Sequence, residues 1–195
     1  ISSMLAGEYT APKAGDTIVD VCGAPGGKSI NAALKMSEQG DCGRVIARDL
    51  SDYKVALIDE NIKRLNITNI QTQVYDALDC DESLINKADI VIADLPCSGL
   101  GIIGRKPDIK YNASPEKLQS LVDLQRDILK VVSRYVKSGG VLMYSTCTIN
   151  RAENEDNADW ICKESGFTKD GEYHQLLPAN NSGMDGFFVA RLIKN

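Results

Sequence analysis

Six cysteines (Cys22, Cys42, Cys80, Cys97, Cys147 and Cys162) are spread through 195 residues without one C-x-x-C pair. That absence argues against a zinc site and a disulfide framework, so the expectation is free thiols, no metal and a reducing, cytoplasmic setting. There is only one histidine, His174. It lies in a tail with no glycine elbow, which leaves Cys–His protease or acyl-transfer chemistry without a partner and His174 as an ordinary surface or loop residue. No apolar run approaches the ~18 residues of a membrane span, and Ile1 to Gly7 has neither the basic n-region nor the apolar core of a secretory signal. Internal repeats, low-complexity runs and linker-like stretches are missing too. No initiator Met stands at position 1, and the reading is a fragment of a longer protein.

The residues present are those of one soluble globular domain, with 43% hydrophobic and 25% charged residues. A chain of this size buries enough surface to need neither disulfides nor a structural metal. Net charge is −5, which alone argues against a nucleic-acid binder, but its distribution is uneven. Residues 97 to 137 hold eight basic side chains (Arg105, Lys106, Lys110, Lys117, Arg126, Lys130, Arg134, Lys137) against four acidic ones, leaving 14 basic against 23 acidic elsewhere. Such a stretch either faces phosphate or is a solvated helix face of mixed charge.

Strand-like and helical runs alternate. Strands are predicted at Thr17 to Cys22, Arg44 to Arg48, Ile70 to Val74, Ala88 to Ala93, Val141 to Ser145 and Phe187 to Ile193. Helical spacing covers Gly27 to Glu38 and the run Val55, Ile58, Ile62, Leu65. The clearest helix is Pro115 to Lys137, with Ser114 as cap, Gly139-Gly140 beyond its end, and a stripe of Leu118, Leu121, Val122, Ile128, Leu129, Val132, Tyr135 and Val136. Asn150 and Glu153 read as the N-cap and N3 pair of a last helix ending at Gly166. This alternation predicts an α/β fold, a mostly parallel sheet with helices on both faces and ligands at the carboxyl ends of its strands.

Asp20-Val21-Cys22-Gly23-Ala24-Pro25-Gly26-Gly27-Lys28-Ser29 joins the first strand to the first helix. Its glycines let backbone amides approach a ligand, and the helix amino terminus favours an anionic or polar group, as a nucleotide-like ligand offers. A P-loop needs Gly where this chain has Cys22. Gly99-Leu100-Gly101-Ile102-Ile103-Gly104 spells G-x-G-x-x-G, but Arg105-Lys106-Pro107 follows instead of a helix, so it reads as a flexible loop. Asp49 after the second strand is placed to accept ribose hydroxyls, and Asp76 after the third to accept from an exocyclic amine.

Two thiols leave adjacent predicted strands: Cys97 in Asp94-Leu-Pro-Cys-Ser-Gly, and Cys147 in Ser145-Thr-Cys-Thr. Cys147 precedes the Asn150-capped helix, whose dipole would raise its thiolate fraction, so it is the better nucleophile candidate. Thiolate, a nearby acid such as Asp94 and a nucleoside-type cofactor together suit methylation of cytosine at carbon 5. That carbon becomes nucleophilic only once a thiolate has added to carbon 6.

Asp20-Val-Cys-Gly-Ala-Pro-Gly-Gly-Lys28, Arg48-Asp-Leu-Ser51, Asp76-Ala77, Asp94-Leu-Pro-Cys-Ser-Gly-Leu-Gly101 with Arg105-Lys-Pro-Asp-Ile-Lys110, Tyr144-Ser-Thr-Cys-Thr148 with Glu153-Asn-Glu155, and Asp185-Gly-Phe-Phe188 resemble, in order, the motifs of the Sun/RsmB-type RNA (cytosine-5) methyltransferases. Within that family the resemblance runs most strongly to the bacterial small-subunit rRNA enzyme. It implies a Rossmann-like methyltransferase fold, S-adenosylmethionine as cofactor and RNA, above all rRNA, as substrate. Carried over by position, Cys22, Gly23, Ala24, Pro25, Gly26, Gly27, Lys28, Asp49, Asp76 and Asp94 bind the cofactor, Cys147 is the nucleophile, and Cys97 assists product release. DNA cytosine-5 methyltransferases use the Pro-Cys thiol instead, which would be Cys97. Gly23, Ser29 and Tyr111 stand where the family more often has Ala, Thr and Trp. Residues 1–195 are then expected to be the catalytic domain, monomeric, without the amino-terminal RNA-binding region of the bacterial members. Methylation of tRNA or another rRNA site, a small-molecule methyltransferase and a non-catalytic RNA-binding module are the alternatives.

Overall fold

In the computed structural model, which describes residues 2–40, 43–178 and 184–195, eight strands form one sheet; Cys42 lies outside the described residues. The strands are β1 (Thr17–Asp20), β2 (Arg44–Asp49), β3 (Ile70–Val74), β4 (Ala88–Asp94), β5 (Val136–Thr146), β6 (Phe167–Lys169), β7 (His174–Leu176) and β8 (Phe187–Lys194). Their order is β3-β2-β1-β4-β5-β8-β6, with β7 also paired to β8. The first five are parallel and β8 runs antiparallel to β5. The helices are α1 (Ser2–Thr10), α2 (Gly27–Glu38), α3 (Asp52–Leu65), α4 (Ile109–Asn112), α5 (Pro115–Val132) and α6 (Glu155–Ser165).

Period-two alternation in the central strands divides the core between the two faces. Ile18, Ile90, Ile92, Val141 and Met143 pack with Ala6 of α1 and Ala32, Ala33 and Met36 of α2. Val19, Val91, Ala93, Leu142 and Tyr144 pack with Ile128, Leu129 and Val132 of α5 and Ala158 and Ile161 of α6. The near-continuous apolar run of β4 follows from this two-sided burial. Chain order reverses between β1 and β4, the switch point where open α/β sheets bind ligands. The loops after these two strands are the glycine-rich loop and the Cys97 loop.

Four local expectations are corrected. The Pro115 helix ends at Val132, not Lys137. Tyr135 and Val136 continue the helical stripe, but the Tyr135 hydroxyl accepts Asp81 N–H (2.9 Å) and donates to Asp79 O (3.1 Å), while Val136 already pairs with Ala88. Gly139 and Gly140 therefore lie inside β5, at a break in its register with β4. Asn150 caps a single turn, Arg151–Glu153, through Ala152 N–H, and α6 starts later, at Glu155. The Gly99 to Gly104 run is a packed turn, not a flexible loop: Gly101 N–H donates to Cys147 O (3.1 Å), Gly186 N–H donates to Gly101 O (2.7 Å), and a Cβ on Gly101 would come within 2.7 Å of Cys147 O. His174, exposed as expected, belongs to β7 and meets Tyr9 edge-on.

Candidate active site

Gly26, at φ +102°, turns the chain after β1 into α2, a conformation open to glycine but strained for other residues. A Cβ there would press on Ile58, so Gly26 faces away from the site. The loop is anchored by Gly23 N–H on Arg48 O (2.7 Å) and Ala24 N–H on Asp49 Oδ2 (3.0 Å). Asp49 is buried; its Oδ1 accepts Leu50 N–H (2.8 Å) and pairs with Lys54 Nζ (3.0 Å). Asp76, half-buried, accepts Leu78 N–H (2.9 Å).

These groups border a cavity of about 350 Å³. Cys22, Ala24, Asp49, Tyr75 and Asp76 line one side, Leu50, Leu78, Leu124 and Ile128 supply apolar wall, and Asp94, Cys97 and Cys147 close the other. Gly23, Pro25, Gly27 and Lys28 instead line a neighbouring space of about 140 Å³, together with Asp20, Cys22, Ala24 and Asp94. Every expected site residue except Gly26 thus borders one of two adjoining cavities.

Lys28 reaches across from α2 to Asp94 Oδ2 (2.5 Å), whose Oδ1 accepts Ser145 Oγ (2.6 Å). Asp20, fully buried, accepts Ser29 Oγ (2.6 Å) on Oδ2, while its Oδ1 has no partner. Burial and, more weakly, Asp94 push the Asp20 carboxyl up to about 6, against the pull of Ser29, Lys28 and the Cys22 amide. The Cys22 thiol is pushed up to about 12 by burial and by Asp20, Asp49 and Asp94, which leaves it a neutral wall of the cavity.

Because β4 and β5 pair with Asp94 opposite Ser145, the loops that follow bring Cys97 Sγ to 3.1 Å from Cys147 Sγ. Cys147 N–H also points at Cys97 Sγ (3.3 Å). The Cys147 thiol is held below the usual range, first by the hydrogen bond from Cys97 and more weakly by Lys28, against burial and Asp94. The same contact and burial push Cys97 far up. The direction of these shifts favours thiolate on Cys147 over Cys97, in a contact where either sulfur can be the donor. The expected helix dipole is not the cause, since α6 begins only at Glu155.

Asp20, Lys54 and Tyr75 at the cavities, and Gln125 and Glu153 beneath the thiols, had no site role in the sequence reading. Gln125 carried a signal: a polar residue beside Val122, Ile128 and Leu129 on the buried face of α5. Glu153 carried a misleading one, the spacing of a helix cap. The basic stretch divides. Arg126 and Lys130 lie over the Trp160 ring and Lys137 pairs with Asp89, whereas exposed Lys117 lines a second cavity beside Cys97, with Ser98, Asp108, Ile109 and Leu121, and Lys106 and Lys110 are exposed in the adjoining chain segment.

Residues 8–193 match the family described as 16S rRNA methyltransferase RsmB/F. This chain belongs to that family. A relative in it, named Probable ribosomal RNA small subunit methyltransferase B, from Bacillus subtilis (strain 168), is 37% identical over 99% of this chain and 46% of its own length. The chain therefore spans less than half of that relative. Among solved structures, PH0851 superposes with TM-score 0.90 at 32% identity over 99% of this chain and 46% of its own. NSun6 from Pyrococcus horikoshii with SFG gives 0.86 at 27% identity, over 100% of this chain and 52% of its own. The fold is the Rossmann-like fold of methyltransferases, as the family's motifs imply. Among the described residues no helix is long and apolar enough to cross a membrane.

Proposed function

We propose that this chain is the catalytic domain of an RNA (cytosine-5)-methyltransferase that uses S-adenosylmethionine and acts on small-subunit rRNA. The observation that carries the reading is the pair of thiols 3.1 Å apart at the end of a cavity whose other end presents Asp49 and Asp76. The residues fit a cationic nucleoside cofactor: Asp20, Asp49, Asp76 and Asp94 face the two cavities against Lys28 and Lys54, and Asp20 keeps an unpartnered buried oxygen there. S-adenosylmethionine, when bound, supplies an electrophilic methyl group. Asp49 would hold the ribose hydroxyls, Asp76 an exocyclic amine, and the loop from Cys22 to Lys28, with Asp94, the remainder.

Cys147 acts on the RNA base. Its sulfur adds to carbon 6 of cytosine, which makes carbon 5 an enamine carbon able to accept the methyl group. The carbon 5 proton then passes to solvent water, directly or relayed by an unprotonated Cys97, as the Cys147 thiolate is expelled and the ring is restored. Cys97, beside that sulfur, serves this release as the proton relay. A DNA-type assignment, with Cys97 as nucleophile, would place the attacking sulfur on the thiol that the Cys147 contact and burial push up. Small-subunit rRNA as target is supported by the names of relatives such as the Bacillus subtilis protein. The experiment is methyl transfer from labelled S-adenosylmethionine to unmodified rRNA and tRNA, with the product base identified by mass. 5-Methylcytosine in rRNA is the expected product. Label on another base, or on none, contradicts the reading.

A further inference from the structure

The steps above make no use of Glu153, a carboxylate with 0% exposure beneath the two thiol loops. Four donors converge on it. Ser98 N–H (2.8 Å) and Gln125 Nε2 (3.0 Å) reach Oε2, and Ser98 Oγ (2.6 Å) and Asn150 Nδ2 (2.9 Å) reach Oε1. Its own carbonyl accepts the Tyr144 hydroxyl. None of these partners is a cation. A carboxylate buried among neutral donors is costly to desolvate, and an apolar side chain of similar volume would fill the space more cheaply, so its value lies in what it holds.

It holds both thiol loops. Ser98 directly follows Cys97 and takes two of the four bonds, while Asn150 lies three residues beyond Cys147. Ser98 Oγ also meets Thr148 Oγ1 at 2.7 Å, completing a bridge between the loops. We propose that Glu153 is a positioning residue that sets the contact between Cys97 and Cys147, and through that contact the reactivity of Cys147. This rests on the reading of Cys147 as nucleophile.

The mechanism is mechanical. The ends of the Cys97 loop are tied to β5 and its following loop independently, by Leu95 N–H on Ser145 O (3.1 Å) and Gly101 N–H on Cys147 O (3.1 Å). The segment between, residues 96–100, is held by the two Ser98 bonds to Glu153, by Gln125 Nε2 on Pro96 O (2.9 Å), itself bonded to Glu153, and by Ser98 Oγ meeting Thr148 Oγ1 (2.7 Å). Loosening the bonds to Glu153 leaves the loop attached but frees Cys97 to swing, removing the contact that lowers the Cys147 thiol. The other charged groups facing Cys147 are Asp94 from β4 and Lys28 from α2, which pair with each other and stay in place. Glu153→Gln keeps the volume and one acceptor but turns an amide toward donors.

The test is the pH profile of Cys147 alkylation by iodoacetamide, read on the Cys147 peptide by mass spectrometry, in wild type, Glu153→Gln, Cys97→Ala and the double variant. Wild type should titrate lowest. Glu153→Gln should move upward toward Cys97→Ala, with about a threefold to tenfold slower reaction near neutral pH, as a shift of half to one unit gives. In the Cys97→Ala background the same change should add nothing, because Glu153 acts through Cys97. A Glu153→Gln profile that superposes on wild type, or an equal displacement in both backgrounds, overturns the proposal. Ser98→Ala, which removes one of the four bonds, should move the profile the same way by less. If Glu153→Gln does not fold in a thermal melt, an unmoved Ser98→Ala profile overturns it. The readout needs neither RNA nor cofactor, so failure of methyl transfer would defeat the functional reading without touching this result.

Discussion

Asp20 is the residue where function is most plainly in tension with stability. Its folded-state carboxyl lies at about 6, above the ordinary carboxylate range, so the fold binds its proton more tightly than the unfolded chain does. The stability this contributes is present below about pH 4 and lost as pH rises through about 6. Asp20→Asn has nothing to titrate and keeps an acceptor for Ser29, so it should gain about 1–3 kcal/mol over wild type at pH 7.5 relative to pH 4. Urea titrations at the two pH values measure this; parallel pH dependence in the two proteins would show that the orphan oxygen is satisfied. Asp49 differs, because its oxygens already accept Ala24 and Leu50 amides. Asp49→Ala should weaken S-adenosylmethionine binding about tenfold to a hundredfold, the loss of one charge-assisted hydrogen bond of roughly 1.5–3 kcal/mol. Equal calorimetric affinities would remove Asp49 from the site.

At the scale of elements, α4 and the start of α5 carry the face on which RNA is expected. Lys117 lines the cavity beside Cys97 and Lys106 and Lys110 are exposed just before it in the chain, while Arg126 and Lys130 are engaged with Trp160. Changing all three lysines to Gln should flatten the log–log salt dependence of RNA binding by about 0.7–0.9 for each phosphate that is no longer neutralised. Lys130→Gln with Arg134→Gln should leave the slope unchanged, and an equal effect from both sets would spread the RNA face along all of α5. Elements were legible where local pattern and tertiary demand agreed: α2 and β3 fall where spacing and β-branching put them. They were illegible where a distant partner decided. The end of α5 depends on Tyr135 reaching Asp79 and Asp81, and α1 is closed by Arg191 Nη1 on Tyr9 O and Thr10 O from the far end of the chain. The short strands β6 and β7 exist by pairing with β8.

For the molecule as a whole, parallel pairing at a switch point turns dispersed sequence motifs into one site. Asp49, Asp76, the Asp94–Cys97 segment and Cys147 are far apart in the chain yet border a single cavity, because each follows or ends a strand of the same sheet. That convergence was readable from the alternation of elements. The source of Cys147 activation was not, since it depends on a thiol fifty residues away and on the buried carboxylate that seats it. The central claim is that Cys147 attacks and Cys97 releases. Its most direct measurement is a denaturing gel of labelled RNA incubated with S-adenosylmethionine and each cysteine variant. Cys97→Ala should be attacked, methylate and stall, giving a slow thiol-linked protein–RNA band, while Cys147→Ala and the double variant show none and Cys147→Ala still binds cofactor. A trapped band in Cys147→Ala and none in Cys97→Ala would contradict the account and move the nucleophile to the Pro96-Cys97 loop.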